Sequence, residues 1–258
     1  AAAAFVLALI PQAVNYTSYS RGLFHSIDIQ ETSEYRTARM MERHFGDQRV
    51  MVAGSPTFWF NVFTDTPQLA GGHDPFMINW YTRVAVHVLY TGQNLGERDG
   101  EICALWLKAL GAHGINVPGP DSQEYYKPFQ RNPALFEGIF RPLETSHGDT
   151  IYEIPARSAS LAHVVPEEAV IRKPPIHGLD IEQVERYVNA LDDDTLPLAS
   201  SKRNRTDAME IEADVAPGQA ISVQVNAHNG WRATANGKTL PVENDGLGMI
   251  VLRPPAGP

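Results

Sequence analysis

The sequence has one cysteine, Cys103, among its 258 residues. A single cysteine excludes an internal disulfide bond and any cysteine-rich zinc site. Cys103 lies inside the apolar run 102–107, so we expect a buried structural thiol rather than an exposed nucleophile. Cysteine usage therefore leaves the cellular compartment undetermined.

Basic residues are also scarce relative to acidic ones. The chain carries 21 Lys and Arg against 30 Asp and Glu, a formal net charge of -9. A surface that binds a phosphate backbone needs a surplus of Lys and Arg, and no basic patch stands out along the chain. The composition therefore predicts no nucleic-acid partner.

The sequence lacks a complete membrane-spanning run, which needs about 20 apolar residues. The longest apolar run is N-terminal and extends to Ile10, where Pro11 breaks the run. We interpret residues 1–14 as the end of a transmembrane or signal helix; the alternative is an ordinary buried helix. The first interpretation predicts membrane attachment through this segment and an extracytoplasmic location for the rest.

Familiar catalytic motifs are missing: a glycine-rich phosphate loop, a zinc-binding His-Glu pair and a Gly-x-Ser-x-Gly elbow. A polar loop at 64–75 holds Asp65, His73 and Asp74, which could form a metal or acid/base set. The alternative is that both aspartates cap neighbouring helices and His73 is exposed. No further ligand stands at a recognised spacing, so we predict no metal and no cofactor. Gln68 of this loop stays a candidate for ligand binding.

Aromatic residues supply the remaining binding candidates. Tyr125, Tyr126 and Phe129 lie close together in a polar segment, where they either stack against a sugar ring or anchor the loop to the core. Trp231 presents the same choice between a sugar platform and a core residue that seals a sheet.

Hydrophobic periodicity predicts an α+β fold, in which a mixed α/β region is followed by a C-terminal antiparallel, β-sandwich-like meander. The helical segment 98–110, Gly111 and the short strand 113–117 form an αβ step packed on a sheet. Asp180 is the predicted cap of a helix at 181–191. Consecutive prolines at 174 and 175 mark a boundary, which divides the chain after the N-terminal helix into regions 15–172 and 173–258.

The C-terminal meander has the clearest local signals. Ile221, Val223 and Val225 alternate with polar residues, which predicts a half-buried strand. Turns at 229–230, 236–237 and 245–246 then predict successive strands up to Leu252, each beside the one before. We expect a further strand to complete this sheet.

Several short motifs, in a fixed order along most of the chain, carry a resemblance to a known family. They are 48–52, 65–69 with 71–72, 105–111, 136–138, 151–155, 162–166, 230–233 and 236–237. In these motifs the chain resembles the extracytoplasmic portion of YfhO-like bacterial polytopic membrane proteins, also labelled 6-pyruvoyl-tetrahydropterin synthase-related membrane proteins.

The resemblance implies a function for the chain. Such proteins are similar to membrane glycosyltransferases that use lipid-phosphate sugar donors, whose catalytic acidic residues lie in loops between transmembrane helices. Because those loops are not in this chain, no catalytic residue carries over. We therefore expect a non-catalytic extracytoplasmic accessory domain that contacts a glycan or lipid-linked sugar. The alternatives are a scaffolding subunit bound to other membrane proteins and a soluble metal-dependent enzyme centred on Asp65, His73 and Asp74.

Overall fold

The structure, a computed structural model, describes residues 2–23, 26–69, 71, 78–91, 98–205 and 207–257. The chain divides into two compact units, Ala1–Thr32 and Ser33–Pro258. The first consists of helix α1 (Ala2–Leu23) and a short 3-10 turn at Ile29–Glu31. Helix α1 continues through Pro11, beyond the end of the apolar run. Proline removes one backbone hydrogen bond, and the alanine- and leucine-rich turns around it favour helix. Among the described residues, no helix combines the length and apolarity required to cross a membrane.

The second unit contains five helices among its described residues. They are α2 (Ser33–Phe45), α3 (Pro56–Phe63), α4 (Trp80–Thr91), α5 (Asp99–Ala109) and α6 (Glu182–Asp192). Proline at the first position of α3 suits a helix start, where its missing N–H costs no internal bond. The prediction that Asp180 caps α6 is wrong. Its side chain turns back onto the preceding loop, where it accepts a hydrogen bond from Ile176 N (3.0 Å). Cys103 is fully buried in α5, as the sequence predicts, and burial raises the pKa of its thiol to about 12.

The first sheet joins the αβ step to a hairpin. Its strands are β1 (Val50–Met51), β2 (Gly114–Pro118), β3 (Arg141–Ser146) and β4 (Asp149–Glu153), in the order β1-β2-β4-β3. Strands β1 and β2 are parallel, because α3, α4 and α5 carry the chain back between them. The hairpin β3–β4 turns at His147 and Gly148, both at positive φ (51° and 82°). The predicted αβ step is confirmed.

The second sheet is antiparallel and C-terminal. It contains β5 (Ala162–Pro166), β8 (Gln219–Asn226), β11 (Glu243–Asn244) and β12 (Met249–Leu252), in the order β11-β12-β8-β5. Two separate hairpins accompany it: β6 (Ala199–Arg205) with β7 (Ala208–Ala213), and β9 (Ala233–Ala235) with β10 (Lys238–Leu240). The α+β class with C-terminal antiparallel strands is confirmed. Strand β6 was not predicted from the sequence.

The predicted strand order of the meander is wrong. Strand β8 pairs with β12 and β5, whereas β9 pairs with β10 alone, around the confirmed turn at Asn236 and Gly237 (φ 51° and 74°). The residues of β8 from 220 to 224 are buried on both faces, and a neighbour of such a strand must itself be largely buried. The apolar β12 meets this requirement and the short, half-exposed β9 does not. The pairing of β5 with β8 also links residues on both sides of the predicted boundary at 172–173.

Three clusters of buried side chains hold these layers together. The largest includes Met51 and Ile115 of the first sheet, Val165 of the second, and Trp106 and Tyr187 from α5 and α6. A second cluster packs α2 and α3 on the first sheet, and a third packs the β6–β7 hairpin on the second. Each sheet therefore has both faces covered over part of its area.

Candidate functional site

A buried carboxylate lies where β1 ends and the chain turns into α3. Glu124, in the long β2–β3 connection, is only 1% exposed. Its Oε1 accepts hydrogen bonds from the backbone N–H groups of Ser55 (2.5 Å) and Tyr126 (2.9 Å), and its Oε2 accepts one from Lys127 N. Three backbone donors on one ionised side chain form strong, charge-assisted bonds. Glu124 therefore fixes the loop at 124–127 against the start of α3.

Gly54 makes this close approach possible. A Cβ atom built on Gly54 would lie 2.4 Å from Glu124 Cδ, and the backbone of Gly54 has φ of 80°. Both the contact and the dihedral require glycine. Only the fold brings Glu124 against Gly54.

The same corner is tied to α2 through Ser55. The Ser55 hydroxyl donates to Glu34 Oε1 (2.6 Å), while the Ser55 backbone N–H donates to Glu124. Ser55 is thus bound by two carboxylates, one that precedes it in the sequence (Glu34) and one that follows it (Glu124). The resulting contact joins the first turns of α2 and α3 to the loop after β2.

Asp149 is a second buried carboxyl group at this end of the sheet. It begins β4, is 2% exposed, and its Oδ1 accepts no hydrogen bond from any described residue. Burial raises the pKa of Asp149 above its ordinary value, against the opposing effects of the Ser122 hydroxyl and the Arg36 charge. The Ser122 hydroxyl also accepts the Glu124 N–H (2.9 Å). Asp149 is therefore part of the support beneath the loop that carries Glu124.

Above this support, three aromatic rings form an exposed group that we call the aromatic surface: Phe58, Tyr125 and Tyr126. Tyr125 and Tyr126 are 82% and 60% exposed and meet edge to face, with ring centroids 5.1 Å apart. Phe58, on α3, tilts against Tyr126 at 6.0 Å. The three rings thus contact one another, and Glu124 holds the backbone of Tyr126, while much of the ring area is open to solvent.

The fold separates the aromatic candidates into different roles. Phe129 is buried and packs edge to face against Tyr90 (5.6 Å) and Phe136 (6.2 Å), so it anchors the loop. Tyr125 and Tyr126 do not: their rings lie outside the core. Trp231 is half-buried against the third cluster, and its indole N–H donates to Asn226 O (3.1 Å). Its ring therefore contributes to packing under the second sheet.

The structure describes only some of the candidate binding residues in the loop 64–75. Asp65 is exposed, whereas His73 and Asp74 lie outside the described residues. Gln68 forms a parallel bridge beside β1, and its amide donates to Thr57 O (3.0 Å) and Asn61 Oδ1 (2.9 Å). Gln68 thus fastens this segment to α3. Within the described part of the chain, no group of three His, Cys, Asp or Glu side chains is placed to hold a metal ion.

Sequence reasoning identified the tyrosines but missed the residues that position them, Glu124, Asp149 and Gly54. The only local signal was an acidic residue directly before two tyrosines, and an isolated Glu in a loop is normally solvated. Comparison of the chain with protein-family models, curated proteins and solved structures gives no match.

Proposed function

We propose that the chain is an extracytoplasmic accessory domain of a glycosyltransferase-like membrane protein and contacts a glycan or lipid-linked sugar through the aromatic surface. The resemblance of the ordered motifs to those of YfhO-like proteins supports the placement outside the membrane. The exposed rings of Phe58, Tyr125 and Tyr126 support the contact with sugar. The domain is proposed to be non-catalytic by itself.

The observation that carries this proposal is a group of exposed rings in mutual contact, with the backbone of Tyr126 held by Glu124. Aromatic faces bury apolar area with few rotatable bonds, so their binding costs little conformational entropy. The C–H face of a pyranose ring offers a flat apolar surface of matching character. The backbone bonds to Glu124 hold Tyr126 before any ligand arrives, which reduces the entropy cost of binding further.

The carboxylates beneath the rings support a role in positioning rather than in chemistry. The carboxylate of Glu124 accepts hydrogen bonds from three backbone N–H groups and is almost fully buried. A general acid or base must lie within hydrogen-bond reach of the substrate. Glu124 meets the loop backbone instead.

Replacing the exposed tyrosines tests the proposal. Each of Tyr125→Ala and Tyr126→Ala is expected to weaken saccharide binding about threefold to tenfold, because an aromatic contact contributes roughly 0.5–1.5 kcal/mol. Ligands are first selected on a glycan array, and affinities are then measured by isothermal titration calorimetry.

Trp80→Ala is the matched control, since Trp80 is also an exposed aromatic residue but is not part of the aromatic surface. Absence of saccharide binding by the wild-type chain would contradict the proposal. An equal loss of affinity in Trp80→Ala would contradict it as well.

A scaffolding role is the second candidate, and one observation favours it. Trp59 and Val62 of α3 are 55% and 69% exposed and extend the apolar area next to Phe58. Exposed apolar groups of this kind are common at protein–protein contacts. In this case Trp59→Ala, rather than Tyr125→Ala, should reduce stoichiometric recovery of the chain in a detergent-purified membrane complex.

A further inference from the structure

Arg49, the residue before β1, places a positive charge where the two sheets meet. Its Nη1 donates hydrogen bonds to the carbonyl oxygens of Leu110 (3.0 Å), at the end of α5, and Gln224 (2.7 Å), in β8. Carbonyl groups at a helix C-terminus suit a cation, so these bonds account for one end of the guanidinium group. They hold Arg49 in place but supply no full negative charge.

Gln224 belongs to a network of hydrogen bonds that joins α5, β5 and β8. Its Nε2 donates to two carbonyl groups in the last turn of α5 (2.8 and 3.1 Å), and its Oε1 accepts a hydrogen bond from Nε2 of His163 (3.1 Å), which orients that ring. The backbone N–H of Gln224 donates to Leu161 O (2.7 Å). Arg49 is therefore bound to a well-braced part of the fold.

Arg203, in β6, brings a second guanidinium group to this region. Leu161 N donates to the Ser201 hydroxyl (3.1 Å), and Arg203 follows two residues later on the same side of β6, because side chains alternate along a strand. The two arginines are close enough to affect each other: burial and the charge of Arg203 lower the pKa of Arg49 to about 10.

The carboxylates of the β6–β7 hairpin lie on its other side. Glu210 and Glu212 are exposed and alternate in β7 with Met209 and Ile211, which pack on the third cluster of buried side chains. Arg203 is directly opposite Met209, and residues opposite each other in an antiparallel pair share a face. The two acidic side chains of β7 therefore point away from the side that carries Arg203.

Neither arginine has a carboxylate partner within the described part of the chain. The side chain of Arg203 is exposed and forms no ion pair there, and Asp47, the carboxylate nearest to Arg49 in the sequence, forms none with it. Nε and Nη2 of Arg49 bind no described residue and are not among the buried atoms that lack a partner, so both contact solvent. Two like charges repel each other, and an anion between them would replace that repulsion with attraction.

We propose that Arg49 and Arg203 together bind the dianionic phosphate group of a small ligand. A planar guanidinium group matches phosphate oxygens in pairs, and two such groups supply the two positive charges that balance a dianion. Arg49 is held by its carbonyl contacts before binding, and partial burial strengthens its attraction to an anion. This site contains no residue of the aromatic surface and does not depend on the function proposed for it.

Nuclear magnetic resonance of the full chain, labelled with ¹⁵N in its arginines, tests the proposal. Sodium phosphate and sodium acetate are titrated separately at about pH 8, where phosphate carries close to two negative charges. Sodium chloride keeps the ionic strength constant, because salt screens charge. We expect phosphate to move the Nε–H resonances of Arg49 and Arg203 with a saturable dependence on concentration. Acetate, with one negative charge, should bind more weakly.

Arg203→Gln should weaken phosphate binding about tenfold or more, the value of one charge-assisted hydrogen bond. Lys202→Gln is the matched control, because it removes the same charge from the adjacent residue, whose side chain lies on the other side of the hairpin opposite Glu210. It should leave the affinity nearly unchanged.

Three results would overturn the proposal. The first is the absence of a saturable shift of the two arginine resonances with phosphate. The second is equal weakening by Lys202→Gln and Arg203→Gln, which would indicate attraction by overall charge alone. The third is an acetate affinity equal to that of phosphate. The titrations of wild type need no variant, so they test the proposal even if Arg203→Gln fails to fold.

Discussion

Gly54→Ala should lower the free energy of unfolding by about 3 kcal/mol or more, for two reasons. The first is the positive φ of 80°, which costs a non-glycine residue about 1 kcal/mol. The second is the new methyl group, which would lie 2.4 Å from Glu124 Cδ. Glu124 is enclosed and cannot move away without losing charge-assisted bonds to Ser55, Tyr126 and Lys127, at roughly 1.5–3 kcal/mol each.

Gly46→Ala is the matched control for this effect. Gly46 also has positive φ (56°), but a Cβ atom there would meet nothing within 4 Å. We expect it to cost only about 1 kcal/mol, the dihedral contribution alone. Urea unfolding followed by circular dichroism gives both values. Equal destabilisation by the two substitutions would show that Glu124 is not held in place by its backbone bonds.

Gly54→Ala should also affect the aromatic surface. Displacement of Glu124 releases the backbone of Tyr126, which that carboxylate holds. If the tyrosines bind sugar, affinity should fall in the fraction that stays folded, because the rings lose their fixed positions. Unchanged affinity in folded Gly54→Ala would mean that Glu124 contributes to stability alone.

The second large effect is a loss of stability in acid that depends on His163. Its pKa is about 4 in the folded protein against an ordinary 6.5, because burial disfavours the imidazolium. The unfolded chain therefore takes up this proton first as the pH falls. The contribution of neutral His163 to the free energy of unfolding is fully present above pH 6.5. About 2–3 kcal/mol of it is lost as the pH falls to about 4.

Asp245 acts in the opposite direction over part of this range. Burial raises its pKa to about 6, so the folded chain takes up that proton first and gains stability as the pH falls. The two effects partly cancel in the wild-type curve. The His163 contribution is therefore measured as the difference between wild type and His163→Phe, in which Asp245 is common to both.

Urea unfolding at a series of pH values from 7 to 4 measures this difference. The stability of wild type relative to His163→Phe should decline by about 2–3 kcal/mol across the series. A pH-independent difference for His163→Phe would contradict the burial of this ring beside Arg157 and Gln224.

Local patterns predicted elements of the second unit where the structure depends on interactions between neighbouring residues. Gly111 ends α5 at positive φ, and Asn236 with Gly237 makes the β9–β10 turn. These helix ends and turns depend on the backbone dihedral angles that one or two residues can adopt, and the residue types alone indicate those angles. Strand β6 was missed because its residues 200–205 are mostly polar and show no apolar alternation.

The candidate site was predictable only in its aromatic residues. Tyr125 and Tyr126 were recognisable as a cluster, but whether they face the core or solvent depends on the loop, and the loop depends on Glu124. Glu124 is separated from Ser55 by 69 positions in the chain. A hydrogen bond across that distance leaves no periodic signal, so the role of Glu124 was not visible.

The sequence by itself determined the α+β class, the αβ step around Gly111, the turn at 236–237 and the acidic, single-cysteine character of the chain, because each follows from composition or from neighbouring residues. Tertiary structure alone decided that β8 pairs with β12 and β5, because burial on both faces selects its neighbours. It also decided that Glu124 supports the aromatic surface and that Gln224 orients His163. These contacts join residues far apart in the chain, and only the packed fold places them within hydrogen-bonding distance.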